Sequence, residues 1–310
     1  MKIKKLSKRK IEPNSDGNVS YNIYIDTDSV FFSAAPLLAN RNPFWFNMND
    51  TDIIKEVDNI AGEVQDFLNN FYDILAKKVF NVSDGNHRFK IKKEYVSRSG
   101  LWIAKKRYAQ WIVAENGIPI DKLDVKGLDV VRSSYPTAFR KFMGDMLMSI
   151  LRGHDEQTIS DTILKFRESL PYLATTDISK NSSVKELSKY EIKDKTSLFQ
   201  FKSATPAHVK AAIAHNVLLK HFKCGSKYEP LKNGDKVKWC YLKQNTYGLD
   251  ALAFKGYGDA PEILDMVTNY IDYDRIFEAE LVNKLIDFYN ALKWDNPLSN
   301  KKQAEKFFTF

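Results

Sequence analysis

Two short apolar runs, Tyr24-Ile25 and Val30-Phe31-Phe32, flank the polar tetrad Asp26-Thr27-Asp28-Ser29. Strand-forming residues on either side of turn-prone Asx and hydroxyl residues predict a tight hairpin with both carboxylates at its tip. After a loop containing residues 40–49, Ile53, Val57, Ile60, Val64, Leu68 and Phe71 recur at helical spacing, with Thr51 or Asp52 as the cap. Residues 88–113 read as strands, and Asn116-Gly117 as a turn into the next one. Pro136 opens a helix with Phe139, Phe142, Met146 and Ile150 on one face, and residues 155–166 form a second. Residues 176–203, rich in Ser, Lys and Asn, read as a loop-dominated connection. Pro206 then starts a helix through Lys220, residues 236–254 alternate as strands, and residues 273–294 make one long amphipathic helix. No internal repeat is visible. Strand-rich first and mixed later, the order predicts an α+β protein with a second, more helical part.

Composition narrows the class. At 310 residues, 44% apolar and 13% aromatic, the chain is long enough to bury a core and is not a disordered one. Its 47 Lys and Arg against 39 Asp and Glu give a net charge of +8, which favours a polyanionic partner. The two cysteines, Cys224 and Cys240, have no neighbours at metal-ligand spacing, so a zinc site is not expected and buried thiols in a reducing compartment are. The basic start MKIKKLSKRK has no apolar segment behind it and is not a secretory signal. Residues 30–39, the longest apolar stretch, are interrupted by Ser33 and Pro36. A soluble, cytosolic protein without membrane contact is expected.

Clustered carboxylates at a hairpin tip concentrate enough charge for a hard divalent ion such as Mg2+. An Asp-rich turn with no further role would look the same. A strand ending in D-x-D also resembles the metal and nucleotide-sugar motif of glycosyltransferases. D-x-D-x-V resembles the first motif of haloacid-dehalogenase-like phosphatases, but that family needs a Gly-Asp with another Asp four residues on. Gly144-Asp145, Gly234-Asp235 and Gly258-Asp259 lack that spacing. YIDTDS (residues 24–29) matches the YxDTDS signature of family B, α-like DNA polymerases in full. KKRYA (105–109) resembles the basic-aromatic motif that follows in that family, and KGLDVVRSSYP (126–136) resembles the stretch after it, in the same order. On these motifs the chain resembles the C-terminal part of a family B polymerase, most like the T-even-type phage enzymes. The resemblance runs from Tyr21 onward, firmly to Pro136. Residues 207–219, 236–254 and 270–288 resemble the thumb in pattern.

The resemblance implies a partial palm, an antiparallel sheet with helices, at residues 21–135. A mainly helical thumb follows at 136–300, between a basic lead at 1–20 and a clamp-binding-like tail at 301–310. It makes Asp28 the principal ligand of a two-Mg2+ site and sets Asp26 beside the primer terminus as an outer or intermittent ligand. Thr27 and Ser29 shape the turn. KKRYA has a physical reading of its own: ammonium, guanidinium and phenol groups on one strand can follow a duplex and check pair shape in the minor groove. Strand alternation would put Lys106 and Tyr108 on one face, toward the primer-terminal pairs, and Lys105 and Arg107 on the other, toward phosphates. The alternative is a solvated basic strand with Tyr108 in the core. Lys126, Gly127, Arg132, Ser133 and Ser134 read as phosphate binders at a helix entrance, or as caps of that helix. Lys210 adds grip from the thumb. Phe307, Phe308 and Phe310 would dock in a sliding clamp, or pack on the thumb. Lys306 stands where the common clamp-binding box, hinted at by Gln303, wants an aliphatic residue.

The exonuclease domain, the first palm motif with its Asp and the fingers of the family do not appear before Tyr24. The expectation is therefore a split polymerase in the cytoplasm of a phage-infected bacterium. This nucleotidyltransferase chain would be incomplete alone, working on primer-template DNA and dNTP with a companion chain that carries the missing parts. Unpaired strand edges would make it poorly soluble by itself. A non-catalytic DNA- and clamp-binding accessory or relic subunit is the alternative, and a D-x-D glycosyltransferase a distant third.

Overall fold

The computed structural model describes residues 21–26, 28–83, 85–192 and 198–295. Thr27, the lead at 1–20 and the tail at 301–310, with Phe307, Phe308 and Phe310, lie outside the described residues. The chain divides into two compact units: one runs to Lys126 and takes in Leu151–Gly153, and the other holds Gly127–Ile150 and His154 onward. The fold is α+β, and every strand pair in it is antiparallel.

In the first unit, β1 (Asn22–Asp26) and β2 (Ser29–Phe32) pair as the expected hairpin, with Asp26 opposite Ser29. The stretch expected as loop carries α1 (Ala35–Arg41) and a 3-10 turn at Trp45–Asn47. Asn49, rather than Thr51 or Asp52, caps α2 (Asp50–Lys78), accepting from the Asp52 N–H and satisfying one orphan donor of the first turn. Ile53 and Ile60 bury against Leu38, with Phe32, Leu37 and Trp45 around them. Past Ile60 only Ala76 of the helix is buried: Phe67 is 71% exposed, and Phe71, expected on the buried face, is exposed with Ile74.

Residues 88–94 do not form the expected strand, because side chains of α2 satisfy their backbone instead. Asn69 exchanges both amide bonds with Ile91, Gln65 accepts from the Lys93 N–H, and Lys93 Nζ lies 2.6 Å from Asp58. The meander β3 (Tyr95–Ala104), β4 (Arg107–Glu115) and β5 (Ile118–Lys126) then follows in that order. Its second turn is the expected Asn116-Gly117, both residues at positive φ (+50° and +80°), as a type I′ turn needs. On the central strand, buried Gln110 accepts from Ser97 Oγ at 2.7 Å and donates to Asp124 at 3.1 Å, tying the three strands together. The short segment Leu151–Gly153 straps this sheet. Leu151 O accepts from Ser99 Oγ at 2.7 Å, and the Arg152 guanidinium lies over Trp111 and 2.7 Å from Asp121.

The second unit begins with a 3-10 turn at Asp129–Val131 and the two helices expected, α3 (Thr137–Leu151) and α4 (Glu156–Ser169), the latter capped by Asp155. Phe139 and Phe142 of α3 hold Phe166 of α4 edge-on and stacked. Short α5 (Thr175–Ile178), β6 (Lys180–Ser183) and α6 (Leu187–Tyr190) interrupt the expected loop. A buried helix α7 (Ala207–His221) lies on the sheet β6–β7–β8, with β7 at Lys236–Tyr241 and β8 at Ala251–Phe254. Ala211 and Ala212 allow α7 to approach Val237, Trp239, Ala251 and Ala253. His215 spends its Nδ1 on the Ala253 carbonyl at 2.8 Å, and burial pushes its pKa below the ordinary value. It is a satisfied core histidine. Beyond this sheet, α8 (Pro261–Tyr270) has no counterpart in the sequence reading. The expected long helix is α9 (Tyr273–Phe277) and α10 (Asn283–Leu292), joined by a π-helical segment at Glu278–Val282.

Candidate functional site

Strand alternation decides what the hairpin presents. Tyr24 and Asp26 share one face of β1 and are half-buried, while Ile23 and Ile25 on the other face are 40% and 60% exposed. Tyr24 enters a ring cluster with Phe31, Trp102 and Tyr108, at centroid distances of 5.5 to 6.1 Å. Burying four rings in that geometry favours the hairpin by more than its few backbone bonds, since an isolated two-stranded ribbon is marginal in water. The Tyr24 hydroxyl oxygen accepts from the Lys106 N–H at 3.0 Å, and Lys106 Nζ lies 3.6 Å from Asp26 Oδ1. Asp28 stands exposed in the turn.

KKRYA does not form a continuous strand. Ala104 pairs with Arg107, so Lys105 and Lys106 make the exposed turn between β3 and β4, and strand alternation does not apply to them. Lys106 takes φ +61°, the left-handed region, which lets the chain reverse while its N–H points at Tyr24. Arg107 is half-buried at the start of β4. Tyr108 is buried, at 9% exposure, inside the ring cluster. Burial first, then the charge of Asp124, pushes its phenol above the ordinary value. Tyr108 lies in register with Lys126 across β4–β5, and Lys126 Nζ is 3.3 Å from Asp124. The hairpin, the basic turn and the start of the third motif therefore meet within one unit.

Gly127 follows at φ +67°, a conformation that glycine adopts freely and a side chain resists. The rest of the third motif belongs to the second unit. Arg132 is exposed and paired with Asp129 at 2.9 Å, and Ser133 and Ser134 are exposed. The Ser133 and Ser134 carbonyls accept from the side chain and backbone of Asn181 on β6, each at 3.2 Å. Tyr135 is buried and donates to the Glu280 carbonyl at 2.5 Å. Burial pushes its phenol well above the ordinary range. An exposed run of Arg, Ser and Ser over a buried, braced underside is a surface that can hold phosphate oxygens.

Two carboxylates alone do not make a metal site. Among the described residues no group of three or more His, Cys, Asp and Glu side chains could hold an ion. Asp26 and Asp28 would bind one only together with a ligand from elsewhere. Sequence reasoning passed over the residues that position these groups, namely Trp102, Asp124, Asn181 and Glu280. Each is an ordinary strand or helix residue whose role depends on a neighbour distant in the chain. Among the described residues no helix is long and apolar enough to cross a membrane.

The model of DNA polymerase family B matches residues 54–292, a span that includes KKRYA and KGLDVVRSSYP and begins after the hairpin. No curated protein matches the chain.

Proposed function

The chain belongs to DNA polymerase family B, and on that premise we propose that it is the C-terminal palm-and-thumb part of a split replicative polymerase. Membership itself carries a DNA polymerase-related function, with DNA and nucleotides as ligands and nucleotidyl transfer as the chemistry. In the finer reading, residues 21–135 complete a palm, 136–300 form a thumb, and the tail at 301–310 engages a sliding clamp. A companion chain, as in a T-even-type phage system, brings exonuclease, first palm motif and fingers.

Asp28 is the principal carboxylate of the reaction and Asp26 sits beside the primer terminus. With a carboxylate of the companion they would hold Mg2+, which when bound acidifies the primer 3′-hydroxyl and neutralises the triphosphate. Lys105 and Lys106 follow the duplex beside the terminal pair, where minor-groove acceptors are nearly equivalent for all pairs. Tyr108, buried among Tyr24, Phe31 and Trp102, fixes the spacing of turn and hairpin. Lys126 in the first unit, and Arg132, Ser133 and Ser134 in the second, hold backbone phosphates.

The observation that carries this reading is the meeting of the motifs: Lys106 Nζ lies 3.6 Å from Asp26, and Tyr108 lies in register with Lys126. The companion is supported by the outward face of β1. Ile23 and Ile25 are exposed there, and β1 and β2 have no third strand among the described residues. An apolar face on an open strand edge is a surface that a further element covers.

Primer extension tests the proposal, using this chain, the candidate companion, both together, and both with Asp28→Ala. Extension only when both chains are present, reduced about a hundredfold to a thousandfold by Asp28→Ala, is the expected result. DNA binding without extension in any mixture would instead support an accessory subunit.

A further inference from the structure

Glu280 is a carboxylate inside the second unit, 1% exposed, in the π-helical segment between α9 and α10. A buried carboxylate is costly unless paired, and Glu280 is paired twice. Lys180 Nζ of β6 lies 2.8 Å from one oxygen and Lys284 Nζ of α10 lies 2.9 Å from the other. Lys284 does not end the chain of charges. It sits 4.0 Å from the centroid of the Tyr135 ring and 3.9 Å from Asp129, which in turn holds Arg132 at 2.9 Å. Alternating charges thus run from the buried Glu280 through Lys284 and Asp129 to the exposed guanidinium of Arg132. The Tyr135 hydroxyl, on the carbonyl of Glu280, ties the same loop to the same helix.

We infer that Glu280 is a positioning residue for DNA binding. It fixes Lys284, Lys284 shares the charge of Asp129, and Asp129 aims Arg132 at a backbone phosphate without holding it fully. The inference rests on the reading of Arg132 as a phosphate contact. Without Glu280, Lys284 would turn wholly to Asp129, and Arg132 would lose its fixed partner. The expected sign opposes bulk electrostatics. Removing a negative charge from a polymerase-like protein should tighten DNA binding, whereas loss of positioning weakens it.

The test is a double-mutant cycle on the full chain with a primer-template duplex, read by fluorescence anisotropy across a salt series. Arg132→Ala should weaken binding about fivefold to tenfold and lower the slope of log K against log salt by about one. Glu280→Gln should weaken binding by a similar factor, lower the same slope, and add nothing in the Arg132→Ala background. Glu280→Asp should restore most of the affinity. If Glu280→Gln melts early, Lys284→Met, which keeps an unbranched chain over Tyr135 and leaves Asp129 to hold Arg132 fully, should also weaken binding and add nothing in the Arg132→Ala background. Unchanged or tighter binding in Glu280→Gln, or losses that simply add, would overturn the inference while leaving Arg132 a phosphate contact. An Arg132→Ala chain that binds like the parent would overturn the phosphate contact, and the positioning role with it.

Discussion

At Lys106 a backbone φ of +61° puts a long charged side chain where glycine or asparagine sits at less cost, by roughly 1–2 kcal/mol. That strain stands in the turn whose N–H holds the Tyr24 hydroxyl and whose ammonium faces Asp26. Lys106→Gly separates the two roles. The expected outcome is a melting temperature equal to the parent's or higher, with primer-template affinity several-fold weaker, measured by calorimetry and anisotropy. A chain that lost stability and kept affinity would show that the lysine serves the fold alone. The residue types of KKRYA were legible in the sequence as a basic-aromatic cluster. Their conformation was not, because two lysines carry no turn signal. Burial of Tyr108 was one of its two readings, but that Tyr24, Phe31 and Trp102 would enclose it was not legible.

Among the elements, those with a clean period were legible. The hairpin, the Asn116-Gly117 turn, α3 and α4 follow from apolar spacing, turn residues and caps, and the start of the evenly apolar α7 from Pro206. The helix from Tyr273 to Leu292 was legible as a helix but not as one containing a π segment, where the Tyr135 hydroxyl, distant in sequence, reaches the Glu280 carbonyl. Tyr135→Phe leaves that buried carbonyl short of a donor and should cost about 1–2 kcal/mol in urea unfolding. A neutral result would mean the π segment persists without it. The second half of α2 misled the pattern in another way, because an apolar stripe predicts burial but not what provides it. Phe67 and Phe71 are exposed on the described chain. Replacing both by Gln should change stability by less than about 0.5 kcal/mol each and reduce aggregation, scored by light scattering. A large loss of stability would show that these rings belong to the core.

For the molecule as a whole, the titrations that depart most from ordinary values lie on the alkaline side. Burial pushes the Cys240 thiol up to about 12 from 9.0. Burial also raises the phenols of Tyr108, Tyr135, Tyr273 and Tyr289. Each group holds its proton more tightly folded than unfolded. Above about pH 9 the unfolded chain therefore releases protons that the folded chain keeps, and stability falls as pH rises further. Thermal midpoints should be flat between about pH 7 and 9 and decline steadily above, with Cys240→Ala flattening the first part of the decline. A midpoint that fell instead across the neutral range would contradict the burial of these groups. Fold class and net charge were legible at this scale because they depend on averages. The partition of the chain was not: KKRYA and Lys126 fall in one unit and Arg132 in the other, and no composition shift marks Gly127.

The strap at Leu151–Gly153 bears on how this protein can be taken apart. The chain leaves the first unit at Lys126 and comes back to it for three residues, placing Arg152 on Trp111 and Asp121. No single cut separates the units. A fragment ending at Lys126 would lose the clasp over its central sheet, and one starting at Gly127 would carry an arginine with nothing to hold. Swapping either half for that of a relative is therefore a graft with two seams, and the second must be matched to the recipient's sheet.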